Sequence, residues 1–177
     1  MRIFSWMISL AVTAATLTVS PAQAWEFREL LNGEGDQGLG ILQPATNQPG
    51  ISLGFGCEGD RWRQVAILPG GKEPFPLSTS GGIRFGFQPD EFGPPATWKV
   101  RKPEDLPPRY FAPAPTQLMA RLYAEEGKNP EAIFYVQVRP TKKAPITLEF
   151  PLAGLKKALV EHLWKPCKLD VYFGDPS

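Results

Sequence analysis

Histidine is the side chain most able to exchange a proton near neutral pH, and this chain has only one, His162. A single imidazole cannot build a histidine-rich zinc site. One histidine is enough for a Ser-His-Asp set, but no serine sits in a G-x-S-x-G elbow: the literal match Gly50-Ile51-Ser52-Leu53-Gly54 falls inside an alternating strand pattern, not at a strand-to-helix turn. His162 lies beside Leu163 at the edge of an apolar stripe, so it reads as a helix-packing residue. Glu58, Asp60, Asp90 and Glu91 fall at or near expected strand ends. Two such carboxylates could flank a sugar as acid and base, but carboxylates are also ordinary turn residues, and the sequence fixes no separation between them.

Gly33-Glu34-Gly35-Asp36-Gln37-Gly38 matches G-x-G-x-x-G by letter. A dinucleotide site needs an apolar strand before this motif and a periodic helix after it. Neither is present, and Glu34 and Asp36 would repel a pyrophosphate. Read as a calcium loop, Asn32, Glu34 and Asp36 lack the mid-loop glycine, and Gln43 stands where a bidentate carboxylate should close the site. Lys99, Arg101 and Lys102, with Lys142-Lys143 and Lys156-Lys157, could touch an anionic envelope polymer, but each is more simply a solvated face or strand end. No catalytic residue, metal ligand or cofactor is assigned.

The compartment follows from the start of the chain. Met1 and Arg2 give a short positive beginning, and Ile3 to Val19 is mostly apolar and uncharged. Ser20-Pro21 breaks the run, and Ala22-Gln23-Ala24 is the small-x-small pattern of a cleavage site. Residues 1–24 are therefore expected to be a signal peptide cut after Ala24, giving a periplasmic or secreted protein. The run is short for a transmembrane helix, which needs about 20 residues, and no later stretch could span a membrane. Cleavage removes Arg2 alone among the charges, leaving 18 Lys+Arg against 18 Asp+Glu. That balance argues against a nucleic-acid partner. In an oxidising compartment the two cysteines, Cys57 and Cys167, are expected to form one disulfide.

The elements that would position these residues are mainly strands. Residues 25–50 read as an irregular lead-in, with one helical turn at most near Phe27 to Leu31, and residues 51–177 as a single β-rich domain. Ile51, Leu53, Phe55 and Cys57 alternate with Ser52, Gly54, Gly56 and Glu58, the period-two pattern of a strand with one apolar face. Gly59-Asp60 predicts a turn and Arg61 to Leu68 a second strand. Further strands are expected at Ile83 to Phe87, Thr97 to Arg101, Leu118 to Ala124, Ala132 to Arg139 and Ile146 to Phe150, with a last short one at Leu169 to Phe173. The prolines between 103 and 115 predict a loop over the surface, with Tyr110 and Phe111 tucked beneath it. Leu152, Leu155, Leu159 and Leu163 form one helical stripe, stopped at Pro166. The expected architecture is mainly β with one C-terminal helix. It is an antiparallel sandwich or partly closed barrel with the helix packed on the sheet. Cys57 on the inward face of its strand and Cys167 just after the helix would reach one region.

Several of these segments resemble the TagO/VasI-like periplasmic proteins associated with type VI secretion and their unassigned relatives. They are Trp25, the run Ile51-Ser52-Leu53-Gly54-Phe55-Gly56-Cys57-Glu58-Gly59, Gly93-Pro94-Pro95 with Trp98, and Ala114-Pro115 before Leu118. The last is Phe150-Pro151-Leu152-Ala153-Gly154-Leu155 through Ala158-Leu159 to Leu163 and Cys167. The resemblance implies a strand entering a helix that packs on the sheet, and no enzymatic activity. It implies an accessory or binding protein that contacts an envelope component or a secretion-apparatus partner. A carboxylate-based hydrolase of an envelope polymer and a carrier of small apolar ligands are the competing expectations.

Overall fold

The computed structural model describes residues 25–31, 37–48, 50–58, 61–69, 82–101, 109–113, 116–140 and 142–175. The expected signal peptide, the Gly33 to Asp36 stretch, the Gly59-Asp60 turn and most of the proline loop lie outside them.

The period-two segment forms the centre of a six-stranded antiparallel sheet. Its strands are β1 (Glu26–Leu31), β2 (Gln37–Pro44), β3 (Ile51–Glu58), β4 (Arg61–Pro69), β7 (Lys99–Arg101) and β8 (Arg109–Pro113), in the order β1-β2-β3-β4-β8-β7. Ile51, Leu53, Phe55 and Cys57 of β3 are all buried on one face. Across from Phe55 and Leu53 stand Ile41 and Gln43 of β2, both fully buried. On the opposite face of the same pair glycines take one or both sides, with Gly40 opposite Gly56 and Leu42 opposite Gly54.

The remaining strands are β5 (Arg84–Gln88), β6 (Glu91–Phe92), β9 (Ile133–Val138) and β10 (Ile146–Pro151). They form a four-stranded sheet in the order β10-β9-β5-β6. Phe85 pairs with Val136, and Phe134 with Phe150, so alternate positions of three strands share one apolar face. That face packs on the six-stranded sheet: Phe134 meets Phe55 at 6.4 Å between ring centroids. The result is an antiparallel sandwich that does not close into a barrel, with a core filled by Phe55, Phe134 and Phe150.

Four expectations are corrected. Residues 25–50 are not an irregular lead-in, because β1 and β2 pair along their full lengths. Leu118 to Ala124 is not a strand but part of α1 (Thr116–Lys128). Met119 and Leu122, three apart, are its buried residues, while Ala120 is exposed. Leu169 to Phe173 is also helical, in α3 (Asp170–Phe173). The loop expected over 103–115 is also corrected at 109–113, which form β8 between β4 and β7, while Tyr110 and Phe111 are buried there as expected.

The C-terminal helix is the expected one. It runs as α2 (Leu155–Ala158) into a π-helical turn at Leu159–Leu163. Leu152, Leu155, Leu159 and Leu163 are all buried. Trp164 donates its backbone N–H to the Leu159 carbonyl at 2.8 Å, the wider i→i+5 step. That step brings Trp164 inward beside Leu163, and Cys167 follows into the core. On the exposed side Lys157 and Glu161 stand 3.9 Å apart. Helices leave their first N–H groups unsatisfied. Here Glu126 of α1 supplies the missing acceptor, taking a 2.8 Å bond from Gly154 N and a second from Lys156 N.

The Cys57–Cys167 disulfide is present, with Cα atoms 5.6 Å apart, within the range such a bridge needs. It joins β3 to the chain just after the C-terminal helix.

A second link crosses between the sheets. The side-chain amide of Asn47, in the β2–β3 turn, donates to the Thr147 carbonyl at 2.9 Å and accepts from Glu149 N at 3.1 Å. Thr46 N donates to the Glu149 carbonyl at 2.9 Å. Asn47 thus stands in for a neighbouring strand along the outer edge of β10. Asn47→Ala should lower stability by about 1–2 kcal/mol, the usual net worth of two such bonds. The urea midpoint would show it, and an unchanged midpoint would mean that water replaces the amide at no cost.

Candidate functional site

The turn after β5 is tight for a reason that can be read from Gly86. A Cβ there would collide with the backbone carbonyl of Glu91, so only glycine lets β6 fold back this closely. Beyond β6, Gly93 N donates to the Phe85 carbonyl at 2.9 Å, and Ile83 and Ala96 exchange two further bonds. The segment from Glu91 to Thr97 is thereby held along the edge of β5 as a wall.

Helix α1 forms the facing wall. Between the two lies a cleft of about 1120 Å³. Phe85, Phe87, Phe92, Pro94 and Pro95 line one side, and Gln117, Leu118 and Arg121 the other. Gln117 and Arg121 are four apart and so share one face of α1. Phe85 and Phe87 rest on Phe134, at 5.7 and 5.6 Å between centroids. The core aromatic cluster therefore surfaces as part of the cleft lining. The Arg121 guanidinium lies over the Phe87 ring, 4.1 Å from its centroid, a geometry favoured by the ring quadrupole. Arg121, Asp90 and Glu91 form no ion pair with any described residue. All three are exposed at the cleft.

Of the four carboxylates singled out in the sequence, Asp90 and Glu91 line this cleft. They are consecutive residues on the same wall, and the described residues of the α1 wall contribute no carboxylate. A glycosidase pair must face each other across the bond it cleaves, which this placement does not give. Asp60 and the Glu58 side chain lie outside the described residues. His162 stacks on Phe27 of β1 at 4.8 Å and is 4.0 Å from Glu161. It is a partly exposed packing residue on the sheet, as its place on the apolar stripe implied. The described basic residues lie on separate elements. Lys99 is on β7, Lys142 and Lys143 are in the β9–β10 turn, and Lys156 and Lys157 are on α2. Lys156 is placed over the Tyr123 ring at 4.9 Å. Among the described residues no group of three or more His, Cys, Asp or Glu side chains is placed to hold a metal ion. No described helix is long and apolar enough to cross a membrane.

Arg121, Gln117 and the Phe-Pro wall carry no recognisable motif. The available signal was the pairing of an aromatic strand with Gly93-Pro94-Pro95, together with Gln117 and Arg121 at helical spacing. The second half was hidden by reading 118–124 as a strand. The chain matches no known family model, no curated protein and no solved structure.

Proposed function

We propose that this is a non-enzymatic binding protein of the cell envelope, exported through a signal peptide cut after Ala24, and that it acts through the cleft between α1 and the β5–β6 edge. One observation carries the reading. The cleft exposes apolar surface together with charge that no described residue pairs, Phe85, Phe87 and Leu118 beside Arg121, Asp90 and Glu91, which is the usual make-up of a recognition site. The disulfide supports an oxidising compartment. The TagO/VasI-like resemblance supports an accessory role with an envelope or secretion-apparatus partner. The two rivals find less support. The hydrolase would need a carboxylate on each side of the cleft. The apolar carrier would need a hollow interior, and the space between the sheets is filled by aromatic rings.

The test is retention without turnover. The purified protein, incubated with isolated envelope polymer and with envelope protein fractions, should be retained by one of them and release no soluble fragments. Thr97→Trp, which plugs the cleft from an exposed position, should abolish retention. Fragment release that disappears in Asp90→Asn or Glu91→Gln would instead establish the hydrolase.

A further inference from the structure

We infer that the cleft takes an extended peptide segment of a partner protein, read by its side chains, with an acidic residue on Arg121 and an apolar side chain set against Phe85, Phe92 and Leu118. This rests on the cleft being the binding site and goes on to name what it binds.

The backbone rules out the commonest alternative way of holding an extended peptide. A peptide added to a sheet needs a free edge with donors and acceptors. At the β10 edge, Thr147 O, Glu149 N and Glu149 O are already taken by Thr46 and Asn47. At the other edge, Gly93 N and Ala96 N both point back to β5. Pro94 and Pro95, between them, have no N–H to offer. From Gly93 to Ala96 no backbone donor is left for an added strand. A partner at this cleft must be recognised through side chains.

The charges then narrow the chemistry. An exposed guanidinium that already lies over an aromatic ring is a preorganised donor for a carboxylate. Asp90 and Glu91 on the facing wall disfavour a ligand that is anionic throughout, such as an anionic lipid headgroup. They favour one that also carries a cation. A glycan is disfavoured by the rings themselves. Phe87 is covered by Arg121 on one side and packed against Phe134, and Phe85 stacks on Phe134 at an interplanar angle of 14°. The flat platforms left to a sugar are thereby reduced to the outer face of Phe85 and to Phe92. A peptide with an acidic residue next to an apolar one, and a basic residue further along, matches both walls.

The experiment is selection of short random peptides on the immobilised whole protein, followed by fluorescence-anisotropy titration of the selected sequences. Phosphatidylglycerol vesicles and chitin oligosaccharides serve as the competing probes. The selected peptides should share an acidic residue beside an aromatic or aliphatic one. Arg121→Gln should weaken them by about tenfold or more, as expected for loss of a charge-assisted contact. Arg121→Glu should recover binding to peptides whose acidic residue is replaced by lysine. Arg121 is exposed, and an unchanged melting temperature will show that each variant is folded. Failure to select any peptide, or selected peptides indifferent to Arg121→Gln, overturns the inference. Binding of vesicles or chitin oligosaccharides that requires Arg121 also overturns the peptide class, yet keeps the cleft as a binding site. Envelope retention that is insensitive to Thr97→Trp would remove the cleft itself.

Discussion

Reduction of the Cys57–Cys167 bridge should remove a large part of the protein's stability. The bridge closes a loop with a sequence separation of 110. A loop on the order of 100 residues corresponds to about 4.7 kcal/mol of unfolded-state entropy, with native-state adjustments usually reducing it. Typical domain stabilities are about 5–15 kcal/mol. Urea unfolding of the wild type with and without reductant isolates the effect, because no side chain is changed. The double variant Cys57→Ala/Cys167→Ala should reproduce the reduced curve, lowered slightly further by the sulfur volume lost from two buried positions. The unfolded, unreduced wild type should contain no titratable thiol. Equal urea midpoints with and without reductant would show that the sheet and helix are held together by packing alone.

Phe134→Ala should be comparably severe, at about 3–5 kcal/mol, the range for removing a buried aromatic ring. Phe134 is fully buried and its ring touches those of Phe55, Phe85 and Phe87. It is therefore the point at which the two sheets meet, and it also supports the cleft from beneath. Thermal melting should show a large drop, and Phe134→Leu, which keeps most of the volume, should recover much of it. By contrast Val171→Ala, at an exposed site, should stay within about 0.5 kcal/mol. A small loss at Phe134 would mean that the neighbouring rings collapse into the vacated space.

What could be read from the sequence depended on whether a face had a simple partner. β3 was legible because its apolar residues alternate with small ones, and a single buried face leaves that signature. The C-terminal helix was legible because Leu155, Leu159 and Leu163 all face one core, and the stripe survives the π-helical turn. β1 and β2 were missed because Gly38 and Gly40 weaken the strand pattern. Their place opposite Glu58 and Gly56 is a property of the pairing, not of the local sequence. α1 was misread because Leu118, Ala120 and Leu122 fit an alternation over a span too short to separate the two periods. Burial selects Met119 and Leu122 instead. The cleft was illegible for the same reason. Half of it is the exposed face of α1, and a strand at 118–124 would have set Gln117 and Arg121 roughly 13 Å apart along one face, where one helical turn brings them within about 6 Å. The disulfide could be anticipated because both cysteines sit on elements that were read correctly.

The Asn47 clamp has a bearing on how the chain reaches this state. Asn47 and Thr147 are 100 residues apart, and Thr46 and Glu149 are 103 apart. Topologies dominated by such distant pairings fold on millisecond-to-second timescales, because loop closure precedes any return from the contacts. The β2–β3–β4 meander is made of neighbouring segments and has only short turns to close. The β10 edge, in contrast, is sealed only after the chain has delivered residues 146–151 and they have found a turn made about a hundred residues earlier. During synthesis from the N-terminus, the meander therefore exists for a time without its facing sheet, and the apolar face of β3 is exposed for that interval. That interval ends when the apolar face of β9 and β10 covers β3, with Phe134 against Phe55, and the Thr46 and Asn47 bonds to β10 can close no earlier.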